Sequence, residues 1–107
     1  MSRVYKILPA AEWAEAQARG VFEGSPLDLA DGFIHLSDET QAAQTLRLHF
    51  AGQADLVQVG FDAGALGPAL KWEPSRGGAL FPHLYGPLRA DLAVSVEPVF
   101  ASGPGAR

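Results

Sequence analysis

The sequence of 107 residues contains no cysteine, which excludes disulfides, thiol catalysis and thiolate metal sites. It has no apolar run near the roughly 20 residues that span a bilayer, and its first residues lack the apolar core of a signal peptide. Its eight basic residues are scattered and outnumbered by twelve acidic ones, so no extended nucleic-acid surface is expected. The prediction is a cytoplasmic protein without a membrane partner.

Hydrophobic residues, in contrast, are plentiful. They make up 48% of the chain, which is enough to bury a core and argues against global disorder. The length suits one core and is too short for two. We therefore predict a single globular domain over residues 1–100, a monomeric state, and a flexible Gly/Pro-rich C-terminal tail over residues 101–107.

The order of predicted elements indicates an α+β fold. A strand at 4–8 is followed by a helix at 10–19, a short strand at 33–36 and a helix from 37 to about 50. A central strand is predicted at 55–61, a short strand at 69–73 and a last strand near 92–96, whereas 27–31 and 75–86 resemble loops. Because strands gather late in the chain, a mixed or mostly antiparallel sheet is favoured over a doubly wound parallel sheet.

A polar His35-x-Ser37 pair interrupts the apolar run at 33–36. Alternation along a strand would point both side chains to one face. Ser37 is also predicted to cap the second helix, whose N-terminus would suit a phosphate or the phosphate edge of a ribose. The alternative interpretation of His35 is a half-buried strand histidine hydrogen-bonded to the backbone.

A second polar cluster lies at residues 71–86. Glu73 is its best candidate for a general base or for an acceptor of a ribose hydroxyl, because it follows Trp72 at a predicted strand end. The alternative is an ion pair of Glu73 with Arg76 or Lys71. The other candidate ligand-binding side chains are an arginine for phosphate, a partly buried histidine, and aromatic rings that could stack on a planar group: Arg76, His83, Tyr85 and Trp72.

Motifs for several common chemistries are missing. His35, His83 and an acid such as Glu73 or Asp31 are suitable metal ligands, but no tight spacing supports a metal site and none is predicted. The sequence has no Gly-x-Ser-x-Gly nucleophile elbow, no glycine-rich phosphate loop ending in Lys-Ser/Thr, and no dinucleotide fingerprint.

Two strings, Asp-Gly-Phe-Ile-His-Leu-Ser at 31–37 and Phe-Pro-His-Leu-Tyr-Gly at 81–86, resemble those of the small bacterial domain-of-unknown-function family 952. With the motifs at 4–7, 71–73 and 76–78, the resemblance extends from residue 4 to about residue 100. More remotely, Ile-His-Leu-Ser at 34–37 is similar to a Val-His-Leu-Ser string of RNA 2'-phosphotransferases. These belong to the ADP-ribosyltransferase-like superfamily, whose members bind NAD in a cleft between two small sheets.

The remote resemblance implies an ADP-ribosyltransferase-like fold with small mixed or antiparallel sheets and two main helices. Lys6 falls where the superfamily has a His or Arg that contacts NAD, and Glu73 matches a glutamate that holds the nicotinamide ribose. The implied function is a nucleotide or ribose-phosphate pocket of an NAD-utilising transferase, with NAD as substrate and no required cofactor. Its catalytic residues would be Glu73 and His35, and its ligand-binding residues Ser37, Lys6, Arg76, His83, Tyr85 and Trp72. The alternatives are a non-catalytic module for a small anion and a metal-dependent hydrolase using His35, His83 and Glu73.

Overall fold

The computed structural model describes residues 2–100, so the predicted tail at 101–107 lies outside the described residues, as does the side chain of Arg76. Within residues 2–100 the helices are α1 (Ala10–Arg19), α2 (Pro26–Asp31), α3 (Ala42–His49) and α4 (Ala63–Leu66). The strands are β1 (Arg3–Pro9), β2 (Val21–Phe22), β3 (Ile34–His35), β4 (Ser37–Asp38), β5 (Leu56–Asp62), β6 (Leu70–Pro74), β7 (Leu80–Leu84), β8 (Leu88–Arg89) and β9 (Ala93–Val99). Short 3-10 turns cover Gly67–Ala69, Arg76–Gly78 and Ala90–Leu92.

The strands form antiparallel sheets, and the predicted α+β class is confirmed. The largest sheet has the order β4-β1-β5-β9, so β5 is internal and β9 is an edge strand, as Pro98 indicates. A three-stranded sheet has the order β3-β7-β6, and β2 pairs with β8. No helix within residues 2–100 has both the length and the apolar character needed to cross a membrane.

The core lies between one face of the largest sheet and α1. Alternation along β1 and β5 points Val4, Leu8, Val59 and Phe61 to this face, and all four are at most 1% exposed. The ring of Trp13, on α1, meets that of Phe61 edge-on at 6.3 Å. The helix begins directly after Pro9 and ends at Gly20, whose φ of 87° is the left-handed conformation that glycine adopts without strain.

The predicted loop at 75–86 is wrong, because its second half is β7. This strand pairs with β6 from Leu70 opposite Leu84 to Pro74 opposite Leu80. Pro82 suggested a loop because it has no N–H for a central strand. Its carbonyl accepts a 3.0 Å hydrogen bond from the N–H of Leu36. Because the nitrogen and the carbonyl of one strand residue face the same side, the nitrogen of Pro82 also faces Leu36, one residue beyond the end of β3. The missing donor therefore leaves Leu36 and Pro82 with this single bond, at the point where the β3–β7 ladder ends.

The predicted helix start at Ser37 is also wrong. Ser37 and Asp38 form β4 and pair with Tyr5 and Val4 of β1, while α3 begins only at Ala42. The hydroxyl of Ser37 lies 2.9 Å from that of Thr45 and caps no helix. Ser37 therefore cannot provide the helix N-terminal anion site that the sequence suggested.

A helix, α2, replaces the predicted loop at 27–31. Ser25 and Asp28 form a reciprocal capping box, in which each side chain accepts the backbone N–H of the other residue. Pro26 occupies the first turn, where its missing N–H has no helical partner to lose. Six residues give too little periodicity to reveal this helix, but the Ser-Pro-x-Asp spacing was a usable signal.

Candidate functional site

A cavity of about 520 Å³ opens beside the second half of β1. The short strand β4 pairs only with Val4 and Tyr5, which leaves residues 6–9 to line the cavity. Its other walls come from the start of α2, the segment from His35 to Ser37, the end of α3, and β7. The cavity thus lies where β1 and the three-stranded sheet approach each other, and its lining contains both polar and apolar side chains.

Asp28 is the centre of a hydrogen-bonded polar cluster on the cavity wall. Its carboxylate accepts hydrogen bonds from Nζ of Lys6 at 2.8 Å, from the N–H of Ser25 at 2.9 Å, and from His35 through its backbone N–H at 3.0 Å and its Nδ1 at 2.6 Å. Burial alone would raise the pKa of Asp28, but the charge of Lys6 and these hydrogen bonds outweigh burial and lower the pKa. Asp28 is therefore an ionised anchor that holds β1, α2 and β3 together.

His35 is held between two carboxylates. Its Nδ1 contacts Asp28, and its Nε2 lies 2.9 Å from Oδ2 of Asp31. Ionised carboxylates only accept hydrogen bonds, so both contacts are satisfied together when both ring nitrogens carry a proton. While these contacts persist, His35 shapes the cavity wall and has no ring nitrogen left for a ligand.

His83 has a different environment. Its Nδ1 lies 2.8 Å from Oε1 of Glu73, and the same oxygen accepts a 2.7 Å hydrogen bond from the hydroxyl of Tyr85. The hydrogen bonds from His83 and Tyr85 lower the pKa of Glu73. His83 lines the cavity while Glu73 does not, so the carboxylate lies behind the ring. Among the described residues, no hydrogen-bond partner contacts Nε2 of His83.

The two histidines belong to one cluster. They are opposite each other in the β3–β7 register, with ring centroids 5.7 Å apart. Phe33 stacks on His83 at 4.1 Å and also contacts His35 at 4.6 Å and Tyr85 at 5.2 Å. His35, His83 and Glu73 therefore converge, although only the two histidines reach the cavity.

Some of the other predicted site residues line the cavity and others do not. Lys6 and Ser37 line the cavity, whereas Tyr85 reaches the cluster only through Glu73 and Phe33. Trp72 pairs with Pro82 and lies on the face of β6 opposite Glu73, so it does not take part in this site. The side chain of Arg76 lies outside the described residues.

Sequence reasoning missed the role of Asp28. Residues 27–31 were predicted as a loop, whereas the capping box of α2 fixes the position of Asp28 next to Lys6 and His35. The capping spacing could have revealed the helix. The contact between Asp28 and His35, seven residues apart, could not be read from any local period.

Replacing Glu73 by glutamine is expected to change the tautomer of His83. The carboxylate only accepts, so it fixes the proton of a neutral ring on Nδ1 and leaves Nε2 as an acceptor. An amide can donate as well as accept, so Glu73→Gln should raise the Nε2–H fraction, measured by ring ¹⁵N chemical shifts. Tyr85→Phe is the control, because it keeps the carboxylate and should keep the tautomer. An unchanged tautomer in Glu73→Gln would contradict this reading of the contact.

Comparisons with known proteins identify a family and show the same fold in a solved structure. A family model described as "Protein of unknown function (DUF952)" matches residues 7–96. The crystal structure of protein CC0527 from Caulobacter crescentus is 51% identical, with a TM-score of 0.92, covering 97% of this chain and 91% of that one. The solution NMR structure of CC0527 gives a TM-score of 0.83 at 51% identity, covering 94% and 87% of the two chains. No curated protein matches.

Proposed function

This chain belongs to the DUF952 family, and from that premise we propose that it is an enzyme that binds a ribose-bearing, nucleotide-like molecule in the cavity and acts on it through His83. The volume of about 520 Å³ falls within the roughly 300–1,000 Å³ typical of small-molecule sites. The cavity wall combines apolar side chains such as Leu8, Phe50 and Phe81 with polar ones such as Lys6 and Ser37. This composition suits a ligand with a planar apolar part and a hydroxyl-rich part.

The observation that carries the proposal is the Glu73–His83 pair. A histidine whose Nδ1 donates to a carboxylate presents Nε2 as a proton acceptor, and the carboxylate stabilises the imidazolium that forms. In the proposed reaction, an attacking hydroxyl transfers its proton to Nε2 while its oxygen forms a bond to the attacked atom of the ligand, whose bond to the leaving group breaks. Glu73 then acts by positioning His83 and has no direct contact with the ligand.

More specifically, we propose that the enzyme has an ADP-ribosyltransferase-like fold and uses NAD. A cavity between two small sheets is the arrangement that the remote sequence resemblance implies, and Lys6 lines it at the expected place on β1. In this form NAD is the substrate, and the reaction transfers its ADP-ribose group from nicotinamide to an acceptor. Lys6 and His83 would contact the ribose half of NAD.

The test is a titration of ¹⁵N-labelled protein with NAD, ADP-ribose and ribose 5-phosphate, followed by amide and imidazole NMR shifts. Saturable shifts are expected at His35, Leu36 and His83, with none at Trp72, which lies on the opposite face of its sheet. No shift from any of the three ligands at millimolar concentration would refute nucleotide binding. Shifts by ribose 5-phosphate alone would refute NAD as the ligand.

A non-catalytic binding module is the second candidate. The contacts of both ring nitrogens of His35 with carboxylates favour it, because a ring held in this way can form a rigid wall without reacting. Saturable binding by the wild type with no detectable turnover of any ligand would favour this candidate. The metal-dependent hydrolase has no such support: within residues 2–100, no cluster of three His, Asp or Glu side chains is arranged to hold a metal ion.

A further inference from the structure

Lys6 is a buried amine at the wall of the cavity. Its side chain is 9% exposed, and its Nζ donates to Oδ2 of Asp28 at 2.8 Å and to the carbonyl of His35 at 3.1 Å. An ammonium has three N–H donors. Among the described residues, the third N–H has no hydrogen-bond acceptor, although the ammonium lies 5.7 Å from the centroid of the Phe22 ring.

From this placement we infer that Lys6 is a nucleophile that captures an aldehyde or ketone as an imine, the open-chain form of a ribose phosphate being the ligand of this class that fits the cavity. Only the choice of a ribose phosphate as the ligand rests on the proposed function. It adds a covalent step and a reacting residue that the acid–base role of His83 does not require.

The surroundings of Lys6 can supply the required proton transfers. The carboxylate of Asp28 can accept the proton that the ammonium must lose before it attacks. The other oxygen of Asp28 contacts Nδ1 of His35, whose Nε2 contacts the half-exposed Asp31. A continuous hydrogen-bonded chain therefore connects the buried amine with solvent.

The burial of Lys6 favours the reactive neutral amine. Desolvation lowers the pKa of Lys6, and the opposing charge of Asp28 does not fully compensate for it. The carboxylate of Asp28 is also shared with His35 and with the N–H of Ser25, which spreads its charge over other donors. Desolvation of a lysine in a pocket is an established way to activate it for imine formation.

The step balances without any oxidant or reductant. The neutral amine attacks the carbonyl carbon, a C–N bond forms, and the carbonyl oxygen takes up a proton to give a carbinolamine. Protonation of that hydroxyl and loss of water break the C–O bond and leave a protonated imine. In total, one carbonyl and one ammonium give one protonated imine and one water.

The chain offers a built-in control, because its two lysines, Lys6 and Lys71, differ sharply in exposure. Intact protein is incubated at neutral pH with ribose 5-phosphate and cyanoborohydride, which reduces the imine to a stable amine. Peptide mapping by mass spectrometry then gives the occupancy of each lysine and, separately, of the N-terminal amine. Burial lowers the pKa of Lys6 and so enlarges its neutral, nucleophilic fraction, so we expect faster initial labelling of Lys6 than of exposed Lys71.

Labelling of Lys6 equal to or below that of Lys71 would overturn the inference. Lys6→Arg keeps the positive charge beside Asp28 but cannot form this imine, so it should lose the adduct while Lys71→Arg keeps it. If Lys6→Arg does not fold, the ratio of the two lysines in the wild type decides the question. Nucleotide-induced NMR shifts without a Lys6 adduct would leave the proposed function standing and overturn the imine. A Lys6 adduct without shifts from NAD or ADP-ribose would support the imine and refute NAD as the ligand.

Discussion

Replacing Asp28 by asparagine is expected to lower the free energy of unfolding by about 3–5 kcal/mol, the cost of removing one partner from a buried ion pair. The substitution leaves the ammonium of Lys6 in a buried site without a counter-charge, and an amide cannot accept all the hydrogen bonds that the carboxylate accepts. Urea denaturation measures the loss through its midpoint. Asp31→Asn is the matched control: Asp31 also bonds His35, but its side chain is 44% exposed, so its loss should stay below about 1 kcal/mol. Equal losses in the two variants would contradict the role assigned to Asp28.

The difference in stability between wild type and Asp28→Asn should depend on pH, and the direction follows from the pKa of Asp28. The pKa of Asp28 is lower in the folded than in the unfolded protein, so the unfolded state binds its proton more readily. The stabilising contribution is complete well above the unfolded value of about 3.9 and is lost as the pH falls through the folded pKa. The difference in stability between wild type and Asp28→Asn should therefore shrink from neutral pH toward pH ~2. A difference that stays constant over this range would show that the ionised form is not the stabilising one.

Replacing His83 by asparagine is expected to reduce turnover of a nucleotide substrate by about 10²–10⁴-fold, the usual contribution of a general acid or base. Asparagine can place its amide N–H near the position of Nδ1 and keep the bond to Glu73, but it offers no counterpart of Nε2. The variant should therefore fold normally, bind the ligand with little change and fail in the chemical step. Rates measured at saturating substrate separate the two effects.

Tyr85→Phe is the control for that experiment. It removes one hydrogen bond to Glu73 but leaves the carboxylate and His83 in place, so its effect on the rate should be much smaller. A His83→Asn variant as fast as wild type would eliminate His83 as the acid–base group. A Tyr85→Phe variant as slow as His83→Asn would instead show that the rate depends on the hydrogen bond from Tyr85 to Glu73 and is not specific to His83.

The parts of the fold that the sequence predicted well have strong local signals. β1 ends at Pro9, α1 ends at Gly20, and β5 alternates clearly, so each was predicted to within one or two residues. The failures occurred where a tertiary contact replaces the local signal. Pro82 fits in a central strand only because β3 stops beside it. Ser37 looked like a helix cap, but its backbone pairs with Tyr5, more than thirty residues earlier in the chain.

The candidate site was predictable to a similar degree. The two histidines were identified because each interrupts an apolar run, and their convergence follows once β3 and β7 are paired. The partners that define their chemistry were not identifiable. The contact of Glu73 with His83 depends on the register of a strand that the sequence concealed, and that of Asp28 with His35 depends on where a six-residue helix packs.

The short segment from Ile34 to Asp38 belongs to two sheets. Residues before Leu36 pair with β7, residues after it pair with β1, and Leu36 itself is buried at 3% exposure. Neither sheet can therefore lose this pairing without pulling on the backbone of the other. The two sheets should consequently unfold as one cooperative unit, and the slow hydrogen exchange of the β1 core should extend through Leu36 to the cavity wall.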